Sequence, residues 1–458
     1  MRRSGFDYDL IAIGSGSGGS VGATHAAAKG KRVAIVEAER RLGGECPNWA
    51  CVPTKALLVS ADHYRNALTA ERFGIRLGSV GYDYKKVRAW KDLVVERTGT
   101  AEAEAIFHDQ KVDVIHGRAH FIDPHTIAVG EKRYRARKFL IGTGTHNFIP
   151  PIEGLAEVGY MTFRQAVDLP APPKSLCIVG GGAIGCEFAE LFSTFGSKVH
   201  LVEAAPRLLG REEPEAADLV KAIFEKKGVT VVTGANIHSV SKKASKKVVY
   251  YSDGVSSYSI EVDDILVASG MRPNVDIGLE NAGVGYDKHG IKANKYLQTT
   301  AKHIYAAGDI VGPYQFTHTA AYQSALAANN MFGRPGSMVA ADYSCIPRTV
   351  FTSPEVASVG ITEAEMREAG IRPRIGMAPV SILGRANVTN KSSGLVKVIC
   401  NRKGVIVGGA IVASRAGEMI HELAVAVHLR ATAQQIAGMV HAFPTWSEAV
   451  KIACMHVR

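Results

Sequence analysis

The sequence predicts an α/β protein: two similar βαβ units followed by a C-terminal α+β domain. Three observations predict it. Two glycine fingerprints, Gly14-x-Gly16-x-x-Gly19 and Gly180-x-Gly182-x-x-Gly185, each follow a short apolar run and open a helix-like segment. An acid stands 23 residues beyond the first glycine in both copies, Glu37 and Glu203. After about Gly336 no fingerprint recurs, and the pattern turns to short strands and one apolar-periodic helix.

Taken in order, Tyr8–Ile13 reads as a buried parallel strand. Gly14 makes the tight turn, Gly16 lets a pyrophosphate approach the backbone, and Gly19 lets the helix pack on the sheet. A helix is expected over about Ser20–Lys29, then a strand over Arg32–Val36. Glu37 closes this Rossmann-like unit, placed to accept hydrogen bonds from a ribose. Ser175–Val179, the second fingerprint, Lys198–Val202 and Glu203 repeat the pattern. One fingerprint is a weak signal; two with matched spacing and strands are a strong one, so two dinucleotides are expected.

Between the copies lies Gly43-Gly44-Glu45-Cys46-Pro47-Asn48-Trp49-Ala50-Cys51-Val52-Pro53-Thr54-Lys55. Cys46 and Cys51 read as a redox-active disulfide pressed against a flavin. The first nucleotide is then FAD and the second a nicotinamide cofactor. Glu203 would repel a 2′-phosphate, which favours NADH over NADPH. Arg207 could soften that preference, although a plain surface residue is the commoner reading. Lys138–Ile141 reads as a strand ending in the small-residue turn Gly142-Thr143-Gly144-Thr145, and Pro150-Pro151 marks a boundary. Ile304–Ala307 is a strand that delivers Gly308-Asp309, with Asp309 a candidate partner for the flavin ribitol chain. The chain divides as 1–149 (FAD-binding), 150–268 (NAD-binding), 269–337 (central, completing the FAD site) and 338–458 (dimerisation). In the last, Thr349–Phe351 and Val396–Cys400 read as strands and Gly417–Val427 as a helix.

Composition excludes other classes. The 458 residues are 46% hydrophobic and 21% charged, ordinary for a globular enzyme. The net charge of +11 is dispersed, with one dense stretch, Ser241–Lys247, of the kind usually found in solvated turns. Weak attraction of anionic cofactors is sufficient for it, and no nucleic-acid partner is expected. Seven cysteines without small-domain spacing argue against a secreted scaffold. Met1-Arg2-Arg3 could mimic a signal peptide, but the apolar run after it is too short. No run of 18 apolar residues suggests a membrane span, so a cytoplasmic enzyme is expected.

These residues identify the chain as a member of the pyridine nucleotide–disulfide oxidoreductases, which include dihydrolipoamide dehydrogenase, glutathione reductase and mercuric reductase. Beside both fingerprints, the motifs are Gly43-Gly44-x-Cys46-x-x-x-x-Cys51-x-Pro53-x-Lys55, Glu187, Gly270-x-Arg272-Pro273-Asn274, Gly308-Asp309 and Pro444-Thr445-x-x-Glu448. The resemblance implies an obligate homodimer in which C-terminal residues serve the partner's active site. It implies that Cys51 is the sulfur nearest the flavin and Cys46 the outer one, which attacks an acceptor. It places Lys55 near the flavin, paired with Glu187. It also brings Gly44, Thr143 and Gly144 to FAD, and Gly270 to the nicotinamide nucleotide.

One departure bears on function. Disulfide-reducing members carry His-Pro-Thr, the histidine serving as acid/base and a following glutamate orienting it. Here the stretch is His441-Ala442-Phe443-Pro444-Thr445-Trp446-Ser447-Glu448, with phenylalanine in the histidine position. Phe443 cannot transfer a proton, and Glu448 has lost its partner. If the segment is extended, His441 shares a face with Phe443; a structural role for it is favoured over a replacement base. The expected activity is therefore NADH oxidation through FAD and the cysteine pair to a non-standard acceptor: a quinone, a metal or another small molecule. The rivals are a dihydrolipoamide dehydrogenase using His441, a mercuric or other metal reductase drawing on Cys454 and His456, and a redox-responsive flavoprotein binding module. No resident metal is expected.

Overall fold

The computed structural model describes residues 5–98, 101–334 and 336–458; the basic start Met1-Arg2-Arg3 lies outside them. The fold is mixed α/β and forms two compact units.

The first unit is drawn from Met1–Ala56, Lys86–Phe148 and Gly270–Ala341. Its parallel strands run in the order Val112–His116, Val33–Glu37, Tyr8–Ile13, Lys132–Ile141 and Ile304–Ala306. The register pairs Leu10 with both Val33 and Lys138. Ile304 pairs with Phe139, so the central segment returns to the sheet begun by the first fingerprint. Period-two alternation splits the apolar residues between two cores. Ile11, Ile13, Phe121 and Phe139 pack on one face, and Leu10, Ala12, Ile35 and Leu140 on the other. The helix Ser17–Ala28 begins three residues before the expected start, because Gly18 and Gly19 belong to its first turn. It packs against the helix Thr317–Phe332 through small residues, and the Gly22 amide donates to Ser324 Oγ at 2.7 Å.

The second unit comprises Leu57–Lys85, Ile149–Ser269 and Asp342–Arg458. A parallel sheet orders Thr230–Thr233, Lys198–Glu203, Ser175–Val179 and Asp264–Val267. Beyond it, Asn236–Lys243, Lys246–Ser252 and Ser257–Val262 form an antiparallel sheet. The basic stretch is the hairpin turn of that sheet. Three of its four lysines are matched by acids: Lys243 with Glu261 at 2.7 Å, Lys246 with Asp263 at 2.6 Å and Lys247 with Asp264 at 3.2 Å. Locally neutralised charge of this kind offers little to a nucleic-acid backbone.

The C-terminal part is a five-stranded antiparallel sheet ordered Arg348–Val350, Glu355–Gly360, Ile406–Ala413, Leu395–Cys400 and Arg374–Pro379. The helices Ala416–His428 and Glu448–Met455 cover it through Met419, Ile420, Leu423, Ala449, Val450 and Ala453. Val425, Leu429, Met439, Val440 and Phe443 remain exposed on the single chain. Among the described residues, no helix is long and apolar enough to cross a membrane.

A buried cation ties this sheet to the helix Pro214–Lys226. The Lys397 side chain is 1% exposed, and its Nζ meets Glu213 at 2.6 Å, Glu215 at 2.8 Å and Glu363 at 2.7 Å. Removing one member of a buried ion cluster leaves the others desolvated and unpaired. Lys397→Ala is expected to lower stability by about 3–5 kcal/mol in urea denaturation; a loss below about 1 kcal/mol would show that the cluster is well solvated.

Candidate active site

The two nucleotide folds are built alike to the level of single hydrogen bonds. Gly14 and Gly180 turn the chain at φ 102° and 110°, a region that favours glycine. Their amides donate to Val36 O at 2.7 Å and to Val202 O at 2.8 Å. Glu37 accepts from the Ser15 amide at 2.8 Å and the Glu39 amide at 2.9 Å. Glu203 accepts from the corresponding Gly181 and Ala205 amides at 2.5 and 2.7 Å. Both acids thus sit at the strand end, fixed beside the fingerprint.

Both fingerprints fit a dinucleotide. A β-carbon on Gly19 or Gly185 would overlap the carbonyl oxygen of Gly14 or Gly180, so each helix is seated against its own turn. The helices Ser17–Ala28 and Ala183–Thr194 are capped by Gly16 and Gly182, with no side-chain cap and no acid in the first turn. Their first N–H groups are left to a pyrophosphate. Nothing lies within 4 Å of where a Gly182 β-carbon would be. An open surface depression lined by Ala38, Glu39, Arg40, Glu104 and His116 follows directly on Glu37.

The cysteine loop lies directly on the first fingerprint. The Ser15 hydroxyl donates to Glu37 Oε2 at 2.6 Å and accepts from the Gly43 amide at 2.9 Å. Gly44 has φ 74°, and a β-carbon there would stand 2.8 Å from Gly16 Cα. Asn48 is buried and donates to the Leu42 and Gly44 carbonyls at 2.8 and 2.9 Å. Cys46 lies in the short helix Glu45–Asn48, and Cys51 opens the helix Cys51–Leu68. Lys55 follows one turn later.

Cys46 and Cys51 are not joined by a disulfide in this structure, and each sulfur acts on the other's proton. Cys51, and then burial, push the Cys46 thiol upward; the Thr317 hydroxyl and the Lys55 charge act the other way. The sulfurs therefore titrate as a pair: once one is charged, the other keeps its proton. Thr317 Oγ1 stands 3.6 Å from Cys51 Sγ. Sequence reasoning missed this residue. Its one local signal is a hydroxyl on the first residue of a helix, 266 residues beyond Cys51.

Thr143 and Gly144 are stitched to Asn274, the last residue of the Gly270-x-Arg272-Pro273-Asn274 motif. Thr143 Oγ1 donates to Asn274 O at 2.9 Å, Asn274 Nδ2 donates to Thr143 O at 2.8 Å, and the Asn274 amide donates to Gly144 O at 3.0 Å. Gly270, expected at the nicotinamide site, lies in the first unit, where its carbonyl accepts from the Phe148 amide at 2.8 Å. Asp309 is mostly buried, with the Thr145 hydroxyl 3.5 Å away. Burial pushes its carboxyl up to about 6, against the Thr145 hydrogen bond and with help from Glu45. Glu187 belongs to the second unit; it is buried and accepts from the Phe351 amide at 3.0 Å.

The C-terminal stretch corrects one expectation. His441 and Phe443 do not share a face: the His441 side chain is 7% exposed and Phe443 is 78% exposed. His441 Nε2 meets Glu422 Oε1 at 2.8 Å, and Nδ1 lies 3.3 Å from Met439 O, so neither nitrogen turns outward. Glu448 accepts from the Thr445 amide at 3.0 Å. Cys454 is 4% exposed, and burial pushes its thiol up to about 12. His456 bonds Met377 O at 3.0 Å. Buried in this way, the Cys454 sulfur is not presented at the surface of the chain. Among the described residues, no group of three or more His, Cys, Asp or Glu side chains is arranged to hold a metal ion.

Two glycine cradles and an adjacent thiol pair laid on one of them define a flavoprotein that exchanges electrons between a pyridine nucleotide and a disulfide. The comparisons agree. Residues 8–324 match the pyridine nucleotide-disulphide oxidoreductase family, and residues 346–454 match its dimerisation domain. The chain is 35% identical over 450 residues to the dihydrolipoyl dehydrogenase of Geobacillus stearothermophilus, covering 96% of this chain and 94% of that one. It is 31% identical to a mercuric reductase of Staphylococcus aureus, covering 98% and 82%. Among solved structures it resembles the HOCl-induced flavoprotein disulfide reductase RclA of Escherichia coli in its Cu(II) complex, with TM-score 0.87, 29% identity and coverage of 98% and 99%. The chain belongs to the pyridine nucleotide–disulfide oxidoreductase family. It is an FAD- and pyridine-nucleotide-dependent oxidoreductase, and its dimerisation domain supports a homodimer.

Asp309 gives a pH test of the flavin cradle. Its folded value lies above the unfolded carboxylate value, so the charged form destabilises the flavin-free protein. That penalty is absent below about pH 4, grows through about pH 4–6 and is complete above. Flavin-free Asp309→Asn should be more stable than wild type by about 2–3 kcal/mol at pH 8, converging below about pH 4. A pH-independent difference in urea denaturation would contradict this.

Proposed function

We propose that this enzyme carries electrons from NADH through FAD and the Cys46–Cys51 pair to a redox-active soft metal ion, with Cu(II) as the substrate. The observation that carries the reading is Phe443 in the proton-transfer position, with His441 committed to Glu422. A disulfide acceptor expels a thiolate that must be protonated, and general acid help of that kind is typically worth about 10²–10⁴-fold. A metal ion expels nothing: two Cu(II) and the dithiol give two Cu(I), the disulfide and two protons. The likeness to RclA, solved as a Cu(II) complex, supports the same choice.

FAD, when bound, supplies the hydride and electron chemistry that returns the disulfide to the dithiol. The chain's residues hold and orient. Gly14, Gly16, Gly19 and Gly44 let the pyrophosphate and the cysteine loop meet the same backbone, while Glu37 takes a ribose. Thr143, Gly144 and Asp309 border the rest of the flavin. Lys55 keeps positive charge near the sulfurs. Gly180, Gly182 and Gly185 cradle NADH, and Glu203 disfavours a 2′-phosphate. Arg207, the residue that could reverse that choice, is engaged by Asp218 at 3.2 Å. Cys46 is the outer sulfur that meets the acceptor. Glu448, deprived of a histidine, fixes the Thr445 turn beside Phe443. The chain segments follow the boundaries 1–149, 150–268, 269–337 and 338–458, and a redox-active rather than structural cysteine pair suits a reducing cytoplasm.

A second reading, dihydrolipoamide dehydrogenase, is favoured by the 35% identity to such an enzyme. Anaerobic assays separate the two. Cu(II) should drive NADH oxidation with two Cu(I) formed per NADH, while oxidised lipoamide is turned over poorly. Phe443→His should raise lipoamide turnover by about tenfold or more and leave the copper rate unchanged. Efficient wild-type turnover of lipoamide with no response to Cu(II) would overturn the proposal.

A further inference from the structure

The sulfur pair has lost its histidine, yet a hydroxyl stands against it. Thr317 Oγ1 is 3.6 Å from Cys51 Sγ, and its hydroxyl also acts on the Cys46 thiol. Thr317 is the first residue of the helix Thr317–Phe332, which has no side-chain cap and no acid in its first turn. The free end of that helix therefore favours negative charge where the hydroxyl points. The groups that act on Cys46 are few. Cys51 raises its proton affinity, whereas Thr317 and the Lys55 charge lower it. Glu45 and His318 are the titratable neighbours in sequence on the two short segments concerned.

A hydroxyl both donates and accepts, which is what a pair carrying one proton requires. We propose that Thr317 is a positioning residue that holds the reduced pair in its singly protonated form, donating its hydroxyl proton to the thiolate sulfur and accepting from the remaining thiol. No covalent step is involved, and the proton count of the pair is unchanged. The hydroxyl cannot protonate a departing thiol, because it has no spare proton to give near neutral pH. It does keep one sulfur charged and nucleophilic without a base. This deepens the reading of Cys46 and Cys51 as the redox pair and rests on it.

The test uses anaerobic holoenzyme reduced with NADH and alkylated with iodoacetamide across pH 5–10, with labelled cysteines mapped by mass spectrometry. If Cys46 and Cys51 are the redox pair, NADH unmasks both; if it does not, the underlying reading fails whatever Thr317 does. Given unmasking, Thr317→Val should move the alkylation midpoint of the pair up by about one pH unit, the size expected for a lost charge-assisted hydrogen bond. Thr317→Ser should restore the wild-type midpoint, and thermal unfolding of both holoenzyme variants should match wild type. A Thr317→Val profile that superimposes on wild type would overturn the assignment, as would a Thr317→Ser profile shifted as far as Thr317→Val.

Discussion

The site depends on the contact between Gly44 and Gly16. The loop that carries Cys46 can lie on the pyrophosphate turn because Gly44 has no side chain. A β-carbon on Gly44 would meet Gly16 Cα at 2.8 Å. Ser15 fastens the same junction, joining Glu37 on one side to the Gly43 amide on the other. One small patch of backbone thus fixes the ribose acid, the phosphate turn and the start of the cysteine loop together. The distance from nucleotide to sulfur is set by glycine contacts and strand register rather than by long, adaptable side chains. The second fold repeats the acid and its two amide partners, with Gly181 in place of Ser15, so it keeps the cradle and lacks the hydroxyl that ties down a following loop.

The legible features were local ones. Both fingerprints, both acids and the cysteine motif are short stretches whose chemistry follows from spacing, and the strands beside them are runs of apolar residues buried on both faces. The fold class and the change of architecture after residue 336 could be read in the same way, whereas the return of Ile304–Ala306 to the first sheet is seen in the strand pairing. The helix over Ser17–Ala28 starts earlier than expected because its opening glycines look like loop in a sequence and are helix in the structure.

What could not be read was set by tertiary pairing. Thr317 meets sulfurs far away in the chain, Asn274 stitches Thr143 and Gly144, and Glu422 captures His441. None of these pairings has a local pattern. His441 shows the consequence. An extended segment would have put it beside Phe443; instead its ring is buried on Glu422 while Phe443 faces outward. Phe443, Val440 and Leu429 are apolar surface on a chain that carries a dimerisation domain, which gives the phenylalanine a packing reason to be where a proton-transfer residue is expected.

The central claim is that Cys46 and Cys51 store electrons passed on by the flavin. Anaerobic titration of the holoenzyme with NADH, followed by flavin absorbance, tests it most directly. The account predicts that wild type consumes two equivalents of NADH per FAD before the oxidised-flavin band is fully bleached, and that Cys51→Ser consumes one. Bleaching of the wild type by a single equivalent would contradict it.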